Sequence, residues 1–356
     1  MGREERDKDV VYSSVIASDY MSFTYTEIAR EIGKVLEANG ITGVVKHWWD
    51  IQPNIKNLIF VGSALKQTLN YLWRFDSSTN IVFYVTCEGL PILSNIDVEA
   101  VNRDNVKVIA VSNFVKKMLE AVGIKVHDVI YHAIDMDDHS IHEEFRDDVK
   151  KKFNLEKRKV LLNISDNNAR KGLDNLLVAY KTLNYLMPET FLILHTFPGK
   201  PGYGGINILK YSEILELKNY WCTMLMGCLT RPKVNALYDL SRFYVCSSYS
   251  EGFGLPMIES FRFNKPVIAV DAPPFNEIVE NGKTGILLPV RETKWFEIKK
   301  LMRALMNIYA VDDLIDAMTS LCVDDDLYDK LCENIKVAKY RFHSPNVYKK
   351  FLEYLE

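Results

Sequence analysis

The feature that most constrains this chain is its rhythm. Short apolar runs rich in Val, Ile and Phe alternate with segments of helical period. In the first half VVYSSVIAS, NLIFVG, NIVFYVT and VKVIAVS predict strands. Between them SFTYTEIAREIGKVLEANG, the region around LKQTLNYLWR, and NFVKKMLEAVG predict helices, with Gly40 and Gly123 at the expected C-caps. The second half repeats the pattern: KVLLNIS, LDNLLVAYKTLNYL and TFLILHTF, then YWCTMLMG, VNALYDLS, FYVCSS, PMIESFRF, PVIAVD and GILLPV. Strands alternating with helices specify an α/β fold whose parallel sheets are covered on both faces. A chain of 356 residues accommodates two doubly wound domains. The charged stretch IDMDDHSIHEEFRDDVKKKFNLEKRK marks the break between them. The expected organisation is a first domain over 1–140, a charged linker over 141–157 and a second domain over 158–335. C-terminal helices over 336–356 would pack back on the first domain. Such sheets bind ligands at the carboxyl ends of their strands, so two facing sheets would enclose a cleft.

Charge narrows the partners. The chain carries a net charge of −3, which argues against a nucleic-acid footprint. Residues 1–140 hold 14 Lys and Arg against 19 Asp and Glu, no cationic surplus for an anionic membrane. None of the six cysteines forms a C-x-x-C pair, and several lie inside apolar runs, which fits free thiols in a reducing, cytoplasmic compartment. The charged start MGREERDKDV has no apolar h-region behind it, and no apolar run is long enough to span a bilayer. Nothing in the sequence sets an oligomeric state.

The stretch SSYSEGFGLPMIESF places Glu251 and Glu259 on either side of a glycine turn between a strand and a helix. Pro256 suits a first helical position, and the helix start offers free N–H groups to an anion. Gly252 and Gly254 allow the backbone a close approach to a ligand. A carboxylate accepts hydrogen bonds from two neighbouring hydroxyls, as a ribose or pyranose presents them. One carboxylate for each of two polyols, with amides facing a phosphate between them, matches a nucleoside diphosphate sugar. Each glutamate taken singly is also accounted for by helix capping, since an acidic residue in a first turn complements the dipole.

SSYSEGFGLPMIES followed by NKPVIAVDAPPFNEIVENGKTGILLPV resembles the signature region of the retaining, GT-B-type glycosyltransferases of family 4. RKGLDNLLVAY, MGCLTRPKVNALYDLSRFYVCSS and VIAVSNFVKKMLEAVG extend the resemblance, which is strong over about 160–290 and weak over the first hundred residues. It implies two Rossmann-like domains and transfer of a sugar from a nucleotide diphosphate sugar, UDP- or GDP-linked, to a glycan, lipid-linked or protein acceptor. It implies no separate cofactor and no metal. The family's E-x7-E pair corresponds to Glu251 and Glu259, and its downstream glutamate to Glu277. The resemblance implies that Glu259 binds the ribose, that Glu251 with Gly252, Phe253 and Gly254 contacts the donor sugar, and that the Leu255 amide meets the diphosphate. Gly227, Cys228, Leu229 and Thr230 would face the base, and Arg170 and Lys171 would clamp the diphosphate. That pair also stands on its own chemistry, because two cations beside a helix start can stabilise a departing phosphate.

The chain departs from the family pattern in four places. Asp166 occupies the position of a common arginine, so Arg170 is the expected second cation. The glycine-rich loop after the first strand is missing, leaving Ser22, Thr24 or backbone amides to serve. Glu88, in FYVTCEGLP, stands about where a first-domain histidine is usual, and could orient or deprotonate the acceptor. Pro273 and Pro274 replace a common glycine pair. A sugar-nucleotide epimerase or phosphorylase, or a non-catalytic sugar-nucleotide-binding protein, stays open as an alternative.

Other constellations carry less. Asp135-Met136-Asp137 mimics a D-x-D metal motif without a strand to present it. His132, His139, His142, Glu143 and Glu144 read as a solvated charged segment, and Asp324-Asp325-Asp326 as a helix start. Trp48-Trp49 and the aromatics from Tyr71 to Phe75 read as core. There is no phosphate-binding G-x-x-x-x-G-K-[ST] loop, no dinucleotide fingerprint after the first strand and no G-x-S-x-G elbow.

Overall fold

The structure is a computed structural model that describes residues 10–14, 23–41, 43–47, 51, 55–199, 204–224 and 229–355. The chain divides into two compact units. The first comprises Met1–Asp135, Glu297–Ala304 and Arg341–Glu356, and the second Met136–Phe296 and Leu305–Tyr340.

The first unit holds β1 (Val10–Ser14), β2 (Gly43–His47), β3 (Asn57–Ser63) and β4 (Asn80–Thr86), then a short β5 (Gly89–Pro91), β6 (Val106–Ala110) and β7 (Asp128–Val129). Its parallel sheet runs β2-β1-β3-β4-β6-β7. Every residue of β3 is buried, as a strand covered by helices on both faces must be. Gly40 and Gly123 both take positive φ after their helices, the backbone that only glycine adopts without cost. Residues 341–355 fall in this unit and carry the short α-helix Ser344–Val347 and the 3-10 helix Tyr348–Tyr354. They are tied down by Tyr348, whose hydroxyl accepts from Ala133 N at 2.8 Å, and by Asn80 Nδ2, which donates to Tyr354 O at 2.7 Å.

The second unit repeats the plan with β8 (Lys159–Ile164), β9 (Thr190–Thr196), β10 (Tyr220–Met224), β11 (Phe243–Val245), β12 (Val267–Val270) and β13 (Gly285–Leu288). The order is β10-β9-β8-β11-β12-β13, all parallel. β8 and β11 are neighbours, and the order switches direction there, so the loops leaving their carboxyl ends open side by side. The segment 141–157 carries the helix Glu143–Lys152, which His142 caps by accepting from Phe145 N at 3.2 Å. One element has no counterpart in the sequence reading. The strands β14 (Glu292–Ile298) and β15 (Met302–Ile308) form a hairpin, and β15 pairs antiparallel with β5.

Gly172 shows how tightly the β8 and β11 loops fit. Its φ is +59, and a Cβ there would lie 2.3 Å from Ser247 O and 2.9 Å from Tyr249 Cζ. Gly282 has a similar φ of +71 with nothing within 4 Å of its would-be Cβ. Both Gly172→Ala and Gly282→Ala should cost about 1–2 kcal/mol for the left-handed backbone. Gly172→Ala should cost more, by at least ~1 kcal/mol, because Ser247 must also move. Equal urea midpoints for the two variants would contradict the close approach.

Candidate donor site in the second unit

The loop after β8 is built by local polar chemistry. Asp166 accepts from Asn167 N at 2.8 Å and Asn168 Nδ2 at 3.0 Å, which turns the chain sharply away from the strand. The Asn167 amide donates to Phe197 O, Gly199 O and Ile206 O and accepts from Ile206 N, so this loop is pinned to the one after β9. Asp166 is thus a turn former here. A single 3-10 turn, Ala169–Lys171, then delivers Arg170 and Lys171 immediately before the helix Leu173–Leu186.

The loop after β11 is stitched to this turn. Tyr249 N donates to Arg170 O at 2.8 Å, and Ser247 Oγ donates to Lys171 O at 2.7 Å. Tyr309 OH donates to Ser247 O at 2.8 Å from behind. The result places Glu251 between both cations. Arg170 Nη1 lies 2.9 Å from Glu251 Oε2 and Lys171 Nζ 2.5 Å from Oε1. Arg170 Nη1 also donates to Ser250 O at 2.9 Å. The three side chains are 12–14% exposed. Burial alone would raise the Glu251 carboxyl pKa, but Lys171 and Arg170 outweigh it and bring it down to about 2. The cluster gathers two cations around one carboxylate beside the start of a helix, where an anion is favoured.

Glu259 sits in a second polar knot. The helix Leu255–Arg262 starts after Gly254, whose φ of +109 admits few residues but glycine, and Pro256 is its second residue, one past the expected first position. Glu259 is the fifth helical residue rather than a first-turn one, so it does not act as the simple dipole partner considered above. Arg231 Nη1 donates to Glu259 Oε1 at 2.7 Å, and Tyr238 OH donates to Oε2 at 2.8 Å. The Glu259 side chain is 10% exposed and Arg231 38%. Burial pushes the carboxyl pKa up, yet Arg231 and the Tyr238 hydroxyl hold it below the usual range. Each carboxylate oxygen has a second lone pair, so the group can accept further bonds.

Arg231 and Tyr238 are not among the residues singled out by the sequence. A cue was present, because seven positions on one helix, Arg231–Leu240, put both on the same face. Thr230 is the N-cap position of that helix and is exposed, and Leu229 precedes it. Gly227 and Cys228 lie outside the described residues, as do Ser22, Trp48 and Trp49. Gly252 and Phe253 are buried beneath the turn, and Leu255 opens the helix half-buried. Glu277 lies half-buried on the short helix Phe275–Ile278, which follows a cis Pro273-Pro274 bond.

Glu88 belongs to the first unit and is half-buried two residues beyond β4; Thr24, in the same unit, is exposed on a helix. The remaining candidates have structural partners. His343 Nδ1 lies 3.6 Å from Asp135 Oδ1, and Asp137 accepts from Tyr340 OH at 2.7 Å. Burial pushes the His132 pKa down to about 3, which keeps it neutral against the edge of Tyr84. His139 Nδ1 lies 3.0 Å from Asp137 O. Asp324 caps the helix Asp325–Ala338 by accepting from Leu327 N at 2.8 Å. Tyr71, Leu72 and Phe75 are buried, while Trp73 is exposed under the Arg103 guanidinium.

Residues 145–310, which contain both carboxylate knots, match the family of glycosyl transferases group 1. "Uncharacterized glycosyltransferase 335" of Sulfolobus islandicus rod-shaped virus 1 is 23% identical over 348 residues, covering 96% of this chain and 99% of that protein. Anabaena HepE, solved in complex with UDP and glucose, superposes with a TM-score of 0.72 at 15% identity, covering 97% of this chain and 98% of HepE. Sucrose-phosphate synthase from Thermosynechococcus elongatus superposes with a TM-score of 0.71 at 13% identity and the same coverage. Together these findings support a GT-B glycosyltransferase. At such identities the two solved structures establish the GT-B fold alone.

The depressed Glu251 pKa has a consequence in acid. A carboxyl whose pKa is lower in the folded state stabilises the fold above its unfolded pKa, and that stability is lost as pH falls through the folded value. For Glu251 the window runs from roughly pH 5 down to about 2, and its contribution is of order 3 kcal/mol. Glu251→Gln should therefore lose most of its excess stability at neutral pH and show a flatter acid limb in urea titrations. An acid limb identical to that of the unsubstituted protein would contradict the assignment.

Proposed function

We propose that this protein transfers a sugar from a nucleoside diphosphate sugar to an acceptor hydroxyl with retention of anomeric configuration. The observation that carries the reading is the Glu251–Arg170–Lys171 cluster, set between the starts of the helices Leu173–Leu186 and Leu255–Arg262. A departing diphosphate gains negative charge as the glycosidic bond breaks. Arg170 and Lys171 meet that charge with fixed donors in a partly dry site, where such donors are worth most. The amides at Gly254 and Leu255 add the positive end of a helix.

In this reading Glu251 plays two parts. It holds the two cations in place, and it accepts from donor-sugar hydroxyls. Glu259, balanced by a single cation and a phenol, takes the ribose diol. Leu229 and Thr230, with Gly227 and Cys228, frame the base. HepE was solved with UDP, which favours a uridine diphosphate sugar over a guanosine one for this chain. Glu88 is assigned to the acceptor hydroxyl, as orienting group or base. The acceptor attacks on the face the leaving group vacates, and with two cations on the diphosphate the reaction needs no divalent metal. The acceptor class is a glycan, a lipid-linked sugar or a protein. The five free cysteines among the described residues fit a reducing, cytoplasmic setting.

Donor hydrolysis and transfer over a panel of sugar nucleotides test the reading. Glu259→Ala should raise the donor KM with a smaller change in kcat. Lys171→Ala should lower kcat by about 10²–10³-fold, the effect of removing one preorganised donor to a developing oxyanion. Chelation should leave the rate unchanged. Activity abolished by chelator and restored by manganese would overturn the metal-independent step. Negligible effects from both substitutions would overturn the site.

A further inference from the structure

The hairpin β14–β15 supplies no side chain to the donor reading, although β15 is tied to the loop after β11 by Asn307 N donating to Tyr249 O at 2.9 Å. Six consecutive residues of β14, Glu292 to Glu297, are exposed. Neighbouring residues on a strand point to opposite faces, so the strand is uncovered on both. Two of them are large aromatics, Trp295 at 49% and Phe296 at 41% exposure. The turn that follows is Ile298–Leu301, closed by Leu301 N donating to Ile298 O at 2.8 Å. Its central residues, Lys299 and Lys300, have φ of +47 and +57, which is hairpin geometry that ordinarily selects Asn-Gly. Two lysines therefore hold a backbone conformation poorly suited to them, at an exposed tip. Arg303 is exposed just beyond, and the exposed Ile92 donates its N–H to Leu301 O at 2.9 Å.

Charge separates this segment from its host. Residues 291–303 contain five basic and two acidic side chains, in a chain whose net charge is −3, and one of the five, Arg291, is ion-paired with Asp313. A local excess of cations on an otherwise acidic protein orients it towards an anionic surface. Interfacial aromatics with flanking lysines are the composition that settles at the headgroup level of a bilayer. Single-stranded nucleic acid is less well matched, because it needs a groove tracking its backbone, and a strand bare on both faces offers none. Among the described residues β14 is an edge strand, which limits the depth, since edge backbone groups must stay in the hydrated headgroup layer.

We propose that the β14–β15 hairpin docks this protein onto an anionic lipid surface, with Lys299, Lys300 and Arg303 among the phosphate headgroups and Trp295, the more exposed of the two aromatics, at the acyl boundary. The assignment is independent of the donor reading, because it is tested by binding alone.

The test is flotation of the full chain with phosphatidylcholine vesicles and with vesicles carrying roughly 30 mol% phosphatidylglycerol, enough to give a negative surface potential. Preferential flotation with the anionic vesicles is expected, and it should weaken in about 0.5 M salt, where screening shortens to a few ångströms. Lys299→Asn with Lys300→Gly removes two charges while giving the turn the residues it prefers, so the variant stays folded. It should reduce partitioning by about tenfold or more. Trp295→Ser with Phe296→Ser should reduce it further, with an unchanged thermal melt. Equal flotation with both vesicle types, or no loss in the Asn-Gly variant, would overturn the proposal. So would vesicle binding that is absent while a single-stranded oligonucleotide binds through the same lysines, or a concentration-dependent dimer that the aromatic substitutions abolish.

Discussion

Everything in the proposed donor site depends on one carboxylate held between two cations. Arg170 and Lys171 are adjacent in sequence and would repel each other if brought together unaided. Glu251 removes that repulsion and in doing so fixes the loop after β8 to the loop after β11. The close approach at Gly172 and the Ser247 and Tyr309 hydrogen bonds serve the same alignment. Buried ions are costly unless paired, so this cluster holds only while all three members are present. Two guanidinium and ammonium donors gathered around one carboxylate are what an anionic ligand would meet.

Glu259 makes an instructive contrast. It is buried to a similar degree, but only one cation, Arg231, bonds it directly, together with the Tyr238 phenol, while Arg262 acts on it electrostatically. A carboxylate bonded by two cations presents donors that suit a phosphate, and one with a single bonded cation keeps acceptor capacity that suits a diol. The two halves of the proposed donor site therefore differ in how many cations bond their carboxylate.

Much of this was legible in the sequence. The alternation of apolar runs and helical periods carries both sheets, because parallel strands buried on two faces cannot be disguised. The glycine turn after FYVCSS carries the helix start at Leu255. Partner assignments were harder. Arg170 and Lys171 precede Glu251 by about eighty residues, and only the adjacency of β8 and β11 brings them together. Tyr238 looks like any helical core tyrosine until its hydroxyl is seen on Glu259. The β14–β15 hairpin was invisible because its turn lacks the Asn-Gly signal, lysines standing in its place. Asp166 reads as a lost arginine but serves the turn that presents the remaining two cations.

The most direct measurement is the phosphorus NMR spectrum of UDP titrated with the protein and with a folded Arg170→Met, Lys171→Met variant. The account predicts that the β-phosphorus resonance shifts and broadens with the unsubstituted protein and is unperturbed by the variant at the same concentration. An equal perturbation by both proteins would place the diphosphate elsewhere and contradict the central claim.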